Sequence, residues 1–295
     1  WHINAGMRYN YTKVNNRDQI NPTDTGNGTL TADAIYARLN PTIGLTFTPN
    51  DKSAIFGSYS ESSRAPTAIE LGCSNPERPC LLPAAMADDP PLKQVIAKTY
   101  DFGARGYLTD SIKWNYSVYH TINHRDIQFV RAEQLNHGYF FNVGRTKRRG
   151  LDLGLSGQLD QFRWNASYSF IRATYDSDLD LLSPANSSSD VDGVISVRKG
   201  DYLASIPKHQ LKLRTQYQVT PDWSVGANLI GYTKQYIWGN ENNSHHANST
   251  LCGDGGGAAC GEGRVKGYTV VNLDTQYNIG KGWSAFAKAI NIFDQ

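Results

Sequence analysis

The sequence predicts an all-β fold, an antiparallel transmembrane β-barrel. Polar and apolar residues alternate with a period of two along many long segments, which is the pattern of a strand with two unlike faces. Short turns alternate with long loops between these segments, as in barrels whose strands cross a bilayer. The 295 residues include 17 Tyr, 10 Phe, 6 Trp and 27 Gly but only 2 Met, a composition that favours sheets and turns over helices.

The alternation begins at the first residue. Odd-numbered residues from Trp1 to Tyr11 are apolar or aromatic, and the even-numbered residues between them are mostly polar. The same pattern recurs at 35–48, 162–170, 211–219 and 271–279, whereas 53–66 and 283–292 alternate less clearly and are assigned from the regularity around them. We predict about eleven strands, many of them about 12 to 20 residues long, against roughly 5 to 6 in soluble proteins. Strands of this length predict a tall barrel wall.

The predicted connections fall into two classes. Short turns are expected at 49–52, 109–110, 160–161, 220–222 and 280–282, and long loops at 15–33, 67–92, 131–137, 176–200 and 239–264. Because hydrocarbon offers no hydrogen-bond partner, irregular chain is confined to the two rims of such a barrel. Aromatic residues beside the short turns predict an interfacial girdle; they are Tyr107, Phe162, Trp223 and Trp283.

Charge and hydropathy exclude several classes of protein. The formal net charge of +2 is spread along the chain, so no nucleic-acid partner is expected. No run of 18 apolar residues occurs and the mean hydropathy is −0.50, which excludes a membrane-spanning helix but suits a barrel in which every second side chain meets lipid. No motif marks a nucleophile with its base, so neither catalytic residues nor a cofactor are expected.

Five short motifs follow one another along the chain. They are Arg-Ala-Pro at 64–66, Pro-Leu-Lys at 91–93 before a strand, Asn-Val-Gly at 142–144 with Gly-Leu-Asp at 150–152, Ile-Pro-Lys-His at 206–209, and Asn-Ile-Phe-Asp at 291–294. In this order, across 57–294, they resemble the barrel of the TonB-dependent receptors. Asp152 departs from the pattern, because that family usually has Glu there.

The resemblance implies a domain organisation. Residues 1–295 would be the C-terminal part of the receptor barrel, with about eleven strands forming roughly half of a 22-stranded barrel. The plug domain and the TonB-contacting box would precede Trp1, together with the N-terminal strands, and the final strand would follow Gln295. Half a barrel leaves two unpaired edges, so the remaining strands are expected from another stretch of the same protein.

The resemblance also implies a function. We expect an outer-membrane receptor of a Gram-negative bacterium that imports a scarce nutrient, such as a ferric siderophore or another metal chelate or cofactor, with energy delivered by TonB. The expected partners are TonB through the plug, the small-molecule or metal-chelate ligand, and outer-membrane lipid with lipopolysaccharide. The alternatives are a passive porin or adhesin barrel and an outer-membrane enzyme; a soluble β-propeller is a third, disfavoured by strands this long.

The four cysteines form two close pairs in predicted extracellular loops, Cys73 with Cys80 and Cys252 with Cys260. An oxidising, surface-exposed location favours two disulfides, each worth on the order of 2 to 3 kcal/mol through loop closure. Metal capture by His245 and His246 near Cys252 is the alternative. Three further histidines, His120, His124 and His209, are expected to be polar rim or lumen side chains.

Basic and aromatic residues near the strand ends are candidates for ligand contact. The run Arg145, Lys147, Arg148 and Arg149 is expected to be solvated or to face lipopolysaccharide phosphates, with binding of an anionic ligand as a second interpretation. Seven other residues are placed near the mouth and are predicted to line a ligand vestibule: Arg131, His137, Tyr139, Arg198, Lys199, Tyr236 and Trp238.

Overall fold

The computed structural model of the chain describes residues 1–17, 19, 32–72, 80–81, 92–131, 137–247 and 261–294. These ranges contain one short helix, α1 (Ala68–Gly72), and eighteen strands. In chain order the strands are β1 (His2–Asn16), β2 (Ala32–Asn50), β3 (Ser53–Arg64), β4 (Cys80–Leu81), β5 (Val95–Thr109), β6 (Ile112–His124), β7 (Ile127–Arg131), β8 (His137–Asn142), β9 (Arg145–Leu159), β10 (Phe162–Tyr175), β11 (Leu179–Leu182), β12 (Val194–Val197), β13 (His209–Thr220), β14 (Trp223–Tyr232), β15 (Gln235–Tyr236), β16 (Arg264–Val265), β17 (Tyr268–Gly280) and β18 (Trp283–Ala289). None of the described helical segments has the length and apolarity that a bilayer crossing requires.

Eleven strands form one antiparallel sheet, which confirms the predicted all-β class and strand number. Their order is β1-β2-β3-β5-β6-β9-β10-β13-β14-β17-β18, so each long strand pairs with the next long strand along the chain. They range from 7 residues in β18 to 19 in β2. Two-residue turns join five successive pairs at 51–52, 110–111, 160–161, 221–222 and 281–282, at the positions predicted for short turns. We call this edge of the sheet the turn end and the opposite edge the outer end.

One face of the sheet is apolar and exposed. Cross-strand partners such as Ile3 with Leu45, and Leu153 with Tyr168, project from the same face. Ile3 is 74% exposed and Leu153 is 42% exposed, although burial of such side chains normally removes about 1.5 to 3 kcal/mol of unfavourable hydration. An extended apolar face of this kind marks a surface made for another apolar medium or partner.

The opposite face is polar, and ion pairs on it connect side chains of different strands. Arg214 on β13 forms a two-pronged ion pair with Asp274 on β17, passing over Gly226 on the strand between them. A Cβ at Gly226 would lie 2.7 Å from Asp274 Oδ1 and 2.8 Å from Arg214 Nη2. The glycine therefore leaves the space that the ion pair occupies.

Apart from Ala104 on β5, most buried apolar side chains among the described residues gather at the outer end. One cluster joins the ends of β7 and β10 to the β11–β12 hairpin; it contains Val130, Val143, Ala173, Tyr175, Leu181, Ile195, Val197 and Leu203. A second cluster joins α1, the start of β5 and β7; it contains Leu71, Leu92, Val95 and Ile127. These two clusters attach the outer segments to the sheet.

Two segments predicted as plain loops contain regular structure, so these assignments were wrong in part. In 67–92, α1 begins at a capping box, since the Glu70 N–H donates to Thr67 Oγ1 (3.2 Å) and the Thr67 N–H donates to Glu70 Oε2 (2.7 Å). In 176–200, β11 and β12 pair from Leu179 with Val197 onward. This hairpin is stabilised by burial of its apolar residues against distant strands, which a local pattern does not reveal.

Candidate ligand-binding rim

The outer end carries short strands that the sequence pattern did not separate from the long ones. β7 pairs with β8, and β8 pairs with β4, in a three-stranded sheet of its own. β11 pairs with β12 and β15 pairs with β16 in two further hairpins. We call these seven short strands, the described residues next to them and the adjoining outer ends of the long strands the rim. The rim holds every predicted ligand residue.

An aromatic group defines the first part of the rim. The rings of Phe129 on β7 and Phe140 on β8 meet edge to face with centroids 5.0 Å apart. Trp238, two residues after β15, lies 6.1 Å from the Phe129 ring and keeps 59% of its surface exposed. We call these three residues the aromatic ledge. It presents a large apolar ring to solvent with its position fixed from one side, as ligand-contacting aromatic residues require.

A cation–aromatic stack forms the second part. Tyr202 and Tyr236 stack with their ring centroids 6.2 Å apart. Arg264 lies 4.6 Å from the centre of the Tyr236 ring and donates to its hydroxyl oxygen at 3.2 Å. Lys208 Nζ lies 3.7 Å and Arg172 Cζ lies 5.7 Å from the centre of the Tyr202 ring. The stack concentrates positive charge around two phenol rings, a setting that attracts anions.

A carboxylate with three cations forms the third part. Asp176 follows β10, and its side chain is only 6% exposed. Its carboxylate lies 2.6 Å from Lys147 Nζ, 3.2 Å from Lys199 Nζ and 3.6 Å from Arg145 Nε. The hydrogen bond from Lys147 holds the pKa of Asp176 below its ordinary value, and Lys199 adds to this effect. Since three positive charges surround one negative charge, the group keeps a net positive charge at neutral pH.

The seven predicted ligand residues therefore do not form one vestibule among the described contacts. Trp238 belongs to the aromatic ledge, Tyr236 to the stack, and Lys199 to the Asp176 group. Arg198 Nη1 lies 3.9 Å from Asp180 Oδ1 at the exposed end of the β11–β12 hairpin. Tyr139 packs beside Phe141 against the first hydrophobic cluster, and burial raises its pKa.

Two of the predicted ligand residues are placed only through their backbone. Arg131 ends β7 and pairs with Gly138, and His137 begins β8 and pairs with Leu81. Their side chains lie outside the described structure. A ligand role for either residue stays a prediction.

The histidines considered for metal capture belong to a polar network between two rim loops. His245 Nδ1 accepts from the Ser187 N–H at 2.9 Å, and its Nε2 lies 3.1 Å from the Gly261 carbonyl oxygen. Both ring nitrogens of His245 are therefore engaged by backbone groups. His246 Nδ1 lies 3.3 Å from Ser187 Oγ. Across the described ranges no group of three or more His, Cys, Asp or Glu side chains is arranged to hold a metal.

The predicted disulfides fall outside the described structure. Cys73, Cys252 and Cys260 are not among the described residues, and only the backbone of Cys80, in β4, is described. Both pairings, Cys73 with Cys80 and Cys252 with Cys260, stay predictions.

Sequence reasoning missed the residues that organise the three groups. Phe129 and Tyr202 were not singled out, although each fixes the position of a predicted residue, Trp238 and Tyr236 respectively. Asp176 was also missed. An acidic residue directly after a long strand whose neighbour carries four cations was a usable signal, because antiparallel pairing brings the ends of β9 and β10 together.

Comparisons with known proteins agree on one family. The family model described as TonB dependent receptor-like, beta-barrel matches residues 1–292. The chain is similar to the probable TonB-dependent siderophore receptor PiuA of Acinetobacter baumannii, with 25% identity over 245 residues that cover 80% of this chain and 30% of that protein. It is also similar to the metal-pseudopaline receptor CntO of Pseudomonas aeruginosa, with 24% identity over 168 residues that cover 56% of this chain and 19% of that protein. The chain thus spans less than a third of the length of either curated relative.

Solved structures share the fold. The crystal structure of the siderophore receptor PiuA from Acinetobacter baumannii superposes with a TM-score of 0.64 at 18% identity, covering 99% of this chain and 36% of that one. The copper transporter OprC superposes with a TM-score of 0.65 at 19% identity, covering 99% of this chain and 39% of that one.

Proposed function

Because the chain belongs to the TonB-dependent receptor β-barrel family, we propose that it forms part of the wall of an outer-membrane receptor that imports a metal chelate. The exposed apolar face of the eleven-stranded sheet supports a position against lipid, with the polar face turned to the lumen. The short turns then lie on the periplasmic side and the rim on the extracellular side of a Gram-negative outer membrane.

The proposed organisation follows from the edges of the sheet. Within the described strands, β1 and β18 each have a neighbour on one side only. In a bilayer an open edge leaves backbone groups without partners, so we place these eleven strands in a larger closed barrel, roughly half of one with 22 strands. A plug and its TonB contact would come from the remainder of the protein.

The proposed ligand is an anionic metal chelate, of the ferric siderophore class or a related one. Two similar proteins carry names that refer to siderophores and to metal–pseudopaline. The single observation that carries this proposal here is the aromatic ledge, where Phe129 holds an exposed Trp238 on a rim rich in cations. An exposed indole ring offers apolar contact area to a flat or aromatic chelate, and a rim cation such as Arg264 beside Tyr236 suits its negative charge.

Uptake is tested with the full-length receptor in a strain that lacks its own copy of the gene. Growth and uptake of radioactive metal are measured with ferric catecholate, ferric hydroxamate, ferric citrate and copper(II) as separate probes, with and without TonB. The proposal expects uptake of at least one chelate that requires both genes. If no probe depends on either gene, or if uptake proceeds equally without TonB as in a passive porin, the importer proposal fails.

The ledge is tested with the chelate that the uptake experiment identifies. Trp238→Ala is expected to weaken binding of that chelate about tenfold or more, as truncation of a central aromatic contact does, while leaving the amount of folded receptor unchanged. Trp283→Ala is the matched control, because Trp283 is equally large, 74% exposed and located at the turn end. Equal binding by both variants would remove the ledge from the ligand site.

A further inference from the structure

Four cations converge on a small cleft at the outer end of the sheet. The cleft has a volume of about 150 Å³. Lys147, Arg149, Arg172 and Lys199 line it, together with one carboxylate, that of Asp176. With four positive charges and one negative, the cleft has the charge of an anion-binding site.

The cleft opens on the apolar face of the sheet and not on the polar one. Arg149 on β9 pairs with Arg172 on β10. The next pairs on the same face, towards the turn end, are Leu151 with Phe170 and Leu153 with Tyr168. Because side chains two residues apart on a strand project from the same face, the arginine pair continues the exposed apolar rows directly. The cations therefore lie immediately above the surface that we place in hydrocarbon.

Among the described residues, the arginine pair is not matched by a carboxylate of its own. Like charges placed directly opposite each other destabilise an antiparallel pair. Arg149 donates from Nε to His120 Nδ1 at 3.0 Å, and Arg172 lies against the Tyr202 ring; in the described part of the chain neither guanidinium group is in a salt bridge. Asp176, the carboxylate of the cleft, already meets Lys147, Lys199 and Arg145.

We propose that this cleft binds a phosphate group of a phosphorylated glycolipid in the surrounding outer leaflet. A phosphate accepts paired hydrogen bonds from guanidinium groups. Its negative charge would also offset the repulsion between the two arginines. The acyl chains of the same lipid would lie along the exposed residues below, including Phe170 and Leu153. The inference rests on the membrane placement in the proposed function, but not on the identity of the transported chelate.

The test measures retention of lipid A by the purified full-length receptor. The receptor in detergent is exchanged against lipid A, and bound lipid is counted by native mass spectrometry. Arg149→Gln with Arg172→Gln is expected to lower retention about tenfold or more, since two charge-assisted contacts are lost. The matched control, Arg8→Gln with Lys212→Gln, removes two cations from the opposite face and is expected to stay within about twofold of the parent, because a distant charge is screened.

The unsubstituted receptor provides a second test that needs no variant. Lipid A is compared with its chemically dephosphorylated form, and inorganic phosphate is added as a competitor. The proposal expects weaker retention of the dephosphorylated lipid and little displacement by millimolar phosphate. Equal retention of both lipids, equal loss in the two double variants, or complete displacement by free phosphate would each overturn it. Because no transported chelate is present, failure here leaves the uptake proposal standing.

Discussion

Asp176 brings three cations together at the outer end of β9 and β10. Its nearly buried carboxylate accepts a hydrogen bond from Lys147 and also faces Lys199 and Arg145. Asp176→Asn would leave Lys147, itself largely buried, without its anionic partner. We expect a loss of about 1 to 3 kcal/mol in the free energy of unfolding, the usual cost of leaving a buried polar group unpaired. Urea unfolding of the receptor in vesicles at neutral pH measures it.

The same residue gives a pH dependence with a definite sign. The pKa of Asp176 is lower in the folded protein than its ordinary value because of the hydrogen bond from Lys147. Its stabilisation is therefore fully present above the unfolded pKa of about 3.9 and is lost as the pH falls through the lower folded value. We expect the stability difference between the parent and Asp176→Asn to be constant from pH 6 to 8 and to shrink below about pH 4.

Asp180→Asn serves as the control for both measurements. Its carboxylate is 63% exposed and lies 3.9 Å from Arg198, so its loss is expected to cost no more than about 1 kcal/mol. Equal effects of the two substitutions, or a difference that grows in acid, would contradict this account of Asp176.

At the level of residues, the sequence identified which side chains lie at the rim better than it identified the residues that they contact. Trp238 and Tyr236 were predicted as ligand residues from their location near strand ends, and both lie at the rim. Their partners Phe129 and Tyr202 come from distant parts of the chain, and no local pattern reports such contacts. Tyr139 was also predicted as a ligand residue. Its side chain packs against a hydrophobic cluster, where it supports the rim instead of facing solvent.

Among the elements, β5 shows how tightly neighbouring strands pack at a glycine. A Cβ at Gly103 would lie 2.4 Å from the Tyr116 carbonyl oxygen and 2.6 Å from Phe56 Cζ. The carbonyl belongs to the paired backbone of β6 and has no freedom to move aside. Gly103→Ala is therefore expected to destabilise the barrel by about 1 to 3 kcal/mol, as overpacking does, measured from the urea midpoint in vesicles.

Gly44 on β2 is the matched control for this substitution. A Cβ there would meet Ser58 Cβ at 3.5 Å, an ordinary contact. Gly44→Ala is expected to be neutral or slightly stabilising, within about 1 kcal/mol, because alanine restricts the unfolded chain. If both substitutions shift the midpoint equally, the close approach at Gly103 is not the cause.

The long strands were predicted from the sequence, and the short ones were missed. Alternation of side chains reports a strand whose two faces meet different media, and this holds along most of β1 and β2 and along β13. At Arg125 the backbone adopts a φ of 56°, which ends β6 and directs the chain into the separate sheet of β7 and β8. The sequence carries a mark of that change: 123–126 are four consecutive polar residues, and the apolar residues move from even positions such as Ile122 to odd positions such as Ile127.

At the scale of the whole molecule, the exposed apolar face is stable only against a nonaqueous medium. Ile43, Leu211 and Leu213 are between 36% and 54% exposed, while the buried apolar clusters are confined to the outer end. In water this arrangement would forgo most of the hydrophobic stabilisation that a sheet of this size requires. Lipid along one face and an aqueous lumen along the other satisfy both sets of side chains.

Spin labels on the two faces of the sheet test this arrangement most directly. In the full-length receptor with its cysteines replaced, single labels are placed at 43, 211 and 213 and at their neighbours 42, 210 and 212, and the receptor is reconstituted in lipid vesicles. We predict that oxygen, which concentrates in hydrocarbon, reaches the first set preferentially, and that a water-soluble nickel chelate reaches the second set. Equal accessibility of neighbouring positions, or the reverse preference, would contradict the assignment of the apolar face to lipid.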